Sequence, residues 1–243
     1  MNKLRWAALA ALLAALAALP VGSEELPAIL RKVAERYYNP AGAGLKDLEV
    51  VVRNPRYAKV LADAVVRVYW KDGRTAARIE NYKPDLEPRI HELQRLLRDV
   101  ARNVVPETIV DLARRSQVTV KEEGELTHIL LAPRGGNGDS LNHYWFDNEL
   151  RIVRSVSEVV TQGKPKRTDF DKLEIQDKDG LLLVVGMKGA SPTGSAEILW
   201  EYEKVGGFWL PTKMTHVTGR ESETTVFLDY KVNQGLSDDL FRD

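Results

Sequence analysis

The sequence predicts an α+β fold, in which a long, curled antiparallel sheet of about eleven strands forms an open half-barrel wrapped over two to three helices. Three observations predict this fold. Apolar and polar residues alternate along many short segments, as they do in strands that bury one face. Turn residues separate these segments at short intervals, so neighbouring strands are expected to pair as antiparallel hairpins. Apolar residues at helical spacing are confined to a few segments, which are available to cover the apolar face of the sheet.

The composition indicates a globular protein and argues against several other classes. The chain has 243 residues, of which 44% are apolar and 29% charged, and this is typical of a globular protein of one large domain or two small ones. The 35 basic residues balance 35 acidic residues, which argues against a nucleic-acid-binding protein that relies on its overall charge. The chain has no cysteine, so it has no disulfide, cysteine-bound metal, thiol nucleophile or lipid-modified cysteine of its own.

The N-terminal segment predicts export. Lys3 and Arg5 precede an apolar run from Trp6 to Leu19, and small residues follow as far as Ser23, which is the layout of a cleaved signal peptide. An uncleaved membrane anchor is the alternative. However, a helix formed by this run would be only about 21 Å long, whereas the hydrocarbon core of a bilayer is roughly 30 Å thick. We expect residues 1–23 to be removed, leaving a periplasmic protein without a lipid anchor.

The exported part of the chain begins with a helix, a strand and a hairpin. Apolar residues three and four positions apart predict a helix from Leu26 to Tyr38, which ends before Pro40. Alternation over residues 45–53 predicts a strand. Two further alternating segments on either side of a Lys-Asp-Gly-Arg turn, at residues 64–82, predict a hairpin.

A helical insertion at about 84–116 interrupts the strands. Apolar residues from Leu86 to Val100 have helical spacing, and Pro106 favours the start of a second, shorter helix. These segments are expected to form a lid over the sheet. The candidate lid residues are Leu93, Leu96, Leu97 and Ile109.

From residue 117 onward the chain predicts a meander of strands with an apolar inner face and a charged outer face. Alternation counted from Trp200 and Tyr230 places aromatic and aliphatic residues inward, with Phe227 as an exception. This inner face is either plain core packed against the helices or the wall of a hydrophobic cavity that holds acyl chains. The candidate ligand-binding residues are Val68, Trp70, Ile198, Trp200, Leu210, Met214, Val226 and Leu228.

Motifs for catalysis and metal binding are weak. The Asp-Lys-Asp-Gly turn at 177–180 lacks the terminal glutamate of a calcium loop, the glycines at 135–138 lack the lysine of a phosphate-binding loop, and Gly189–Thr193 lacks the last glycine of a nucleophile elbow. No spacing typical of a metal site connects the four histidines, His91, His128, His143 and His216. We therefore expect no enzyme activity, no cofactor and no metal, while a hydrolase site assembled from distant residues stays open as an alternative.

Three stretches of the sequence carry a family resemblance. Residues 201–211 look like a Tyr…Gly-x-x-x-Pro hairpin, residues 229–241 look like a Tyr-x-x-Asn…Phe ending, and residues 130–133 look like a mid-chain strand that ends in Pro. With the predicted order of elements, these stretches resemble the periplasmic outer-membrane lipoprotein carrier superfamily, the LolA-like fold. The likeness covers most of the exported chain, and its motifs mark hairpins rather than a binding site.

The resemblance implies an unclosed barrel with helices as a lid over a hydrophobic cavity, in a protein that carries or senses lipids. Because the chain has no cysteine to acylate, it resembles the soluble branch of the superfamily. We expect residues 24–243 to form one domain, a soluble periplasmic carrier or binder of lipid or lipoprotein acyl chains. A membrane-bound partner for loading or release is expected, and no nucleic acid. The alternative is an envelope-assembly or lipid-sensing module without transport, on the same scaffold but with a filled core.

Overall fold

The computed structural model describes residues 26–55, 60–61, 64–98, 100–134, 140–161 and 164–242, so the signal peptide expected at 1–23 lies outside the described residues. The predicted fold class is confirmed. Twelve strands form one antiparallel sheet in the order β3-β2-β1-β12-β11-β10-β9-β8-β7-β6-β5-β4, and its two edge strands are not paired with each other in the described part of the chain, so the sheet is an open half-barrel. The strands are β1 (Asp47–Arg53), β2 (Val65–Lys71), β3 (Arg74–Glu80), β4 (Ser116–Glu123), β5 (Leu126–Pro133), β6 (Ser140–Phe146), β7 (Ile152–Thr161), β8 (Lys164–Lys178), β9 (Leu181–Ser191), β10 (Gly194–Val205), β11 (Phe208–Thr218) and β12 (Glu221–Val232).

Four α-helices accompany the sheet in the described residues: α1 (Ala28–Arg36), α2 (Ile90–Arg98), α3 (Ala101–Val104) and α4 (Ile109–Arg114). The helical insertion is more broken than the sequence periodicity predicts. A 3-10 segment, Pro84–Arg89, precedes α2 and contains Pro88, which has no N–H for an α-helical hydrogen bond. The last helix begins after Thr108 rather than at Pro106, because the Thr108 and Asp111 side chains form a capping box there.

Tight turns join many of the strands, as the turn residues of the sequence predict. In the β2–β3 hairpin, Asp72 and Gly73 have φ angles of 48° and 79°. Asp179 and Gly180 between β8 and β9 have φ angles of 56° and 85°. Two successive positive φ angles match the right-handed twist of the flanking strands, and Asp-Gly tolerates them well.

One half of the sheet encloses a first core. Strands β1–β3, β11 and β12 pack their apolar face against α2 and α3, and Leu48, Val50, Val68 and Leu210 are completely buried there. The helices contribute Leu97 to this cluster, among other residues. This half of the half-barrel is therefore filled by its own side chains.

Strand β12 departs from the simple alternation that the sequence suggests. Phe227 is only 1% exposed and lies in the first core, whereas Val226 and Leu228 flank it on the opposite face and pair with outward-facing residues of β1. The cause is an irregular register between β1 and β12, where Asp229 has a positive φ of 52°. This bulge lets Phe227 and Tyr230 share the inner face although they are three residues apart.

The other half of the sheet carries a second core. Helices α1 and α4 contact each other and pack over β5 and β6. Leu30 and Val33 of α1 are buried there together with Ala113, Ile129 and Leu131. The inner faces of β7–β10 lie between the two cores, and this arrangement positions the candidate site.

Candidate functional site

A cavity of about 400 Å³ lies between the concave face of the sheet and helices α1, α3 and α4. Its size falls within the range of roughly 300–1,000 Å³ that is usual for small-ligand sites. Residues of β6–β10 form its floor, and residues of the three helices and their connecting segments form its roof and rim. The cavity is thus built from parts of the chain that are far apart in sequence.

The floor is mostly aliphatic and aromatic. Leu173 on β8 pairs with Met187 on β9, which in turn pairs with Ile198 on β10, so these side chains form a row across one face of the sheet. Register irregularities on β8, next to Phe170 and next to Glu174, keep the apolar residues on that face. Trp200 continues the floor along β10.

The chain that follows α1 anchors the rim of the cavity to the sheet. The N–H of Tyr38 donates to the carbonyl of Leu182 at 2.8 Å. The Tyr37 hydroxyl accepts a hydrogen bond from the N–H of Ile152 at 2.7 Å, and the Tyr38 hydroxyl accepts one from the N–H of Trp209 at 2.9 Å. Because three strands are bound in this way, α1 is held over the floor by directional contacts as well as by packing.

The rim also carries polar groups. The Asn39 side-chain amide donates to the carbonyl of Pro106 at 3.0 Å, which ties the end of the first helical segment to the start of the last one. Glu107 lies at the rim and forms an ion pair with Arg115, whose guanidinium lowers the pKa of that carboxyl below its usual range. The cavity therefore combines an apolar floor with a polar rim.

Two tyrosines bring hydroxyl groups into this mainly apolar space. Tyr144 on β6 and Tyr202 on β10 both line the cavity. Burial raises the pKa of each phenol above its ordinary value, so both remain protonated at neutral pH. Both groups are therefore hydrogen-bond donors as well as acceptors.

The structure separates the candidate ligand-binding residues between the two halves of the sheet. Val68, Trp70 and Leu210 lie in the first core, and Met214 packs against it. These four side chains thus belong to the filled half of the half-barrel. They are not among the residues that line the cavity.

The other candidates lie further along the sheet. Trp200 lines the cavity, and Ile198 is the strand neighbour of the lining residue Met187. Val226 lines a second pocket of about 900 Å³ next to β1, β2 and β12, and Leu228 faces away from the first core. The assignment of all these residues to ligand binding stays a prediction.

The candidate lid residues are divided in the same way. Leu97 is buried in the first core and Leu93 packs against it, whereas Ile109 packs against the second core and lines the cavity. The side chain of Leu96 lies outside the described residues. The segment 84–116 is therefore shared between two cores.

Most of the cavity lining was missed at the level of sequence. The missed residues come from α1 and from strands β6, β8 and β9. In the strands, alternation indicates which residues face inward, but it does not show which helix or loop covers them. The apolar spacing in α1 was a usable signal, because Val33 and Tyr37 are four residues apart in the predicted helix and both line the cavity. The lining residues that the candidate set omits include Tyr144, Phe146, Leu173, Leu182, Met187 and Tyr202.

A second cluster lies on the outer face of the sheet. His128 contacts the Glu123 carboxylate at 3.0 Å and His143 at 3.1 Å, and its ring stacks on Trp145 with centroids 4.4 Å apart. Trp145 follows the cavity residue Tyr144 on β6, so the cluster points away from the cavity. Within the described part of the chain, no group of three or more potential ligand residues could hold a metal ion. None of the described helices has the length and apolar character needed to cross a membrane.

No protein-family model and no curated protein matches this chain. Among solved structures, it is similar to a DUF1329 family protein from Desulfovibrio piger at 12% sequence identity, with a TM-score of 0.35 and coverage of 88% of this chain and 94% of that one. It is also similar to a domain from Vibrio parahaemolyticus described as an outer membrane lipoprotein-sorting protein domain, at 12% identity, a TM-score of 0.37 and the same coverage. Neither description names an enzyme. These values are low, and the function is therefore argued from the cavity.

Proposed function

We propose that this protein is a soluble periplasmic carrier or binder of lipid, which holds acyl chains in the cavity between the sheet and helices α1, α3 and α4. The observation that carries the proposal is the cavity itself, with its volume of about 400 Å³, its apolar floor and its polar rim. Small-ligand sites are typically concave and mostly apolar, with a few polar groups that orient the ligand.

The floor supplies the driving force for such a ligand. Each CH₂ group that moves from water into the cavity contributes about 0.8 kcal/mol. The rows of Leu, Met and Trp on β8–β10 provide an apolar surface for this transfer. The polar groups at the rim, such as Asn39 and Thr108, would remain next to the headgroup or the solvent.

The filled-core alternative describes only one half of the molecule. In the half formed by β1–β3, β11 and β12, the inner face is packed against α2 and α3, and its largest side chains are completely buried. In the other half, Leu173, Met187 and Trp200 are only partly buried. Partial burial of apolar side chains around a cavity favours a binding function for that half.

The proposal can be tested with a substitution on the floor that fills part of the cavity. Ser155 on β7 lines the cavity, so Ser155→Phe adds an aromatic ring to the available space. Ser222→Phe makes the same substitution at an exposed position of β12 and is the matched control. We expect Ser155→Phe to weaken binding of a dansyl-labelled fatty acid at least about tenfold, equal to about 1.4 kcal/mol, and Ser222→Phe to bind like wild type.

Thermal midpoints of both variants show whether the fold is retained. Native mass spectrometry of the wild-type protein isolated from the periplasm provides a second measurement, because a bound lipid adds its own mass. Wild-type protein that binds no probe and retains no lipid would exclude the proposed function. Equal probe binding by a folded Ser155→Phe variant would place the ligand elsewhere.

A further inference from the structure

The histidine cluster on the outer face of the sheet contains an enclosed polar atom. Within the described part of the chain, Nε2 of His143 is the one side-chain polar atom that is fully enclosed and has no hydrogen-bond partner. The other nitrogen of this ring, Nδ1, lies 3.1 Å from Nε2 of His128, and Nδ1 of His128 lies 3.0 Å from the Glu123 carboxylate. The three side chains therefore form a chain of two hydrogen bonds that ends at an enclosed nitrogen.

The positions of the hydrogens in this chain follow from what each group can donate. The Trp145 indole donates to Glu123 and lowers the pKa of its carboxyl, so this group is ionised at neutral pH and only accepts. Nδ1 of His128 therefore carries a hydrogen, and in a neutral ring its Nε2 is then an acceptor. Nδ1 of His143 donates to that acceptor. When both rings are neutral, Nε2 of His143 is therefore a bare acceptor.

An added proton has no favourable position in this chain. If it charges His128, Nε2 of that ring becomes a donor, and His143 must accept through Nδ1 and carry its own hydrogen on Nε2. If it charges His143 instead, Nε2 of His143 again carries a hydrogen. Either way the enclosed nitrogen becomes an N–H without an acceptor among the described residues, which is costly. Proton uptake therefore favours rupture of the hydrogen bond between the two rings.

The charged neighbours do not remove this conflict. Burial lowers the pKa of His143, and the charge of His128 lowers it further. Glu158 acts in the opposite direction, but its carboxylate already pairs with Arg167. The charged and titratable groups that face the cluster are Lys121 and Glu123 of β4, His128 of β5, Arg154 and Glu158 of β7, and Arg167 and Asp169 of β8.

We propose that His128 and His143 form an acid-sensitive switch, which is closed by their hydrogen bond when both rings are neutral and opened by proton uptake. Opening also releases Trp145, whose ring stacks on His128. The element that responds is strand β6, which carries His143 and Trp145 on the outer face and Tyr144 on the cavity floor between them. No ligand takes part, so this inference is independent of the proposed function.

NMR of the histidine ring nitrogens in the whole wild-type protein tests the closed state directly. At neutral pH we expect Nδ1 of His143 to have the chemical shift of a protonated nitrogen and Nε2 that of a bare one. As the pH falls, His143 should become charged only below its ordinary pKa of 6.5, and the amides of β6 should shift at the same pH. A hydrogen on Nε2 at neutral pH, or charging of His143 at or above its ordinary pKa, would overturn the inference.

Urea denaturation provides the second measurement. Because the pKa of His143 is lower in the folded protein than in the unfolded chain, its contribution to stability is complete above pH 6.5 and is lost as the pH falls below it. Between about pH 7.5 and about pH 5, the folding equilibrium constant should fall at least about fivefold more in wild type than in His143→Phe. His216→Phe, the same substitution at an exposed histidine of β11, is the control and should keep the wild-type pH dependence.

Equal pH dependence in wild type and both variants would contradict the switch. The ring titration of the wild-type protein decides the question even if His143→Phe fails to fold.

Discussion

At the scale of single residues, two opposing effects act on the pKa of Tyr37. Burial raises its pKa to about 12, although the N–H of Ile152 donates to the hydroxyl and lowers it in part. The unfolded chain has the ordinary pKa of 10.0 and therefore loses this proton at lower pH than the folded protein. The stability that this group contributes is complete below pH 10 and is lost as the pH rises towards about 12.

We therefore expect the free energy of unfolding, measured with urea, to fall between about pH 9 and about pH 11 in wild type and to fall less steeply in Tyr37→Phe. The variant should also be less stable at both pH values, because the N–H of Ile152 loses its partner. Parallel pH dependence in the two proteins would contradict the role given to Tyr37. Tyr202 and Tyr230 also have raised pKa values, so part of the decline should remain in the variant.

Strand β12 shows why inward-facing residues could not all be predicted from alternation. Alternation counted from Tyr230 placed Val226 and Leu228 inward, and it treated Phe227 as the exception. In the structure, the bulge at Asp229 places Phe227 in the first core. Hydrophobicity alone suggested that Phe227 was anomalous, but the position of a bulge depends on the register with β1, which lies far away in the sequence.

At the scale of elements, the pairing of β8 with β9 depends on Gly189. A Cβ atom at this position would lie 1.8 Å from the carbonyl oxygen of Asp169, whose backbone cannot move without disturbing the strand pair. At Gly186 on the same strand, the nearest atoms are the side-chain ends of Leu199 and Glu174 at 3.1 and 3.2 Å, and these can adjust.

Gly189→Ala should therefore lower the free energy of unfolding by about 2–4 kcal/mol, and Gly186→Ala should lower it by less than about 1 kcal/mol. Urea denaturation of the two variants beside wild type measures the difference. Because β8 and β9 form the floor of the cavity, Gly189→Ala should also weaken probe binding. Similar losses of stability in both variants would show that the close approach at Gly189 is relieved by a shift of the chain.

Helix ends and turns were predictable to different degrees. The Asp-Gly turns between strands follow from local backbone chemistry, and the structure has them where the sequence places them. The insertion at 84–116 was less predictable. Its apolar periodicity indicated helices, but Pro88 and the Thr108 capping box divide the segment into shorter pieces, and tertiary packing assigns these pieces to different cores.

At the scale of the whole molecule, the fold class could be predicted because strand alternation and turn spacing are local properties. The position of the cavity could not, since it depends on which half of the inner face the helices fill. Val68, Trp70 and Leu210 have the same apolar character as Trp200, yet they lie in the filled half. Chain topology decides the difference, because α2 and α3 pack on the first half while α1 and α4 pack on the second.

The two cores share one continuous sheet, and this predicts a single cooperative unit. Strand β1 pairs with β12, so the first and last strands of the sequence are neighbours in the sheet, and the segment at 84–116 contributes helices to both cores. Calorimetry should therefore show one transition with equal calorimetric and van't Hoff enthalpies. A ligand at a hundredfold excess over its Kd adds about 2.7 kcal/mol, which for a protein of this size corresponds to a rise of about 5–10 °C in Tm. Two resolved transitions, of which the ligand shifts only one, would instead show that the cavity half folds independently of the filled half.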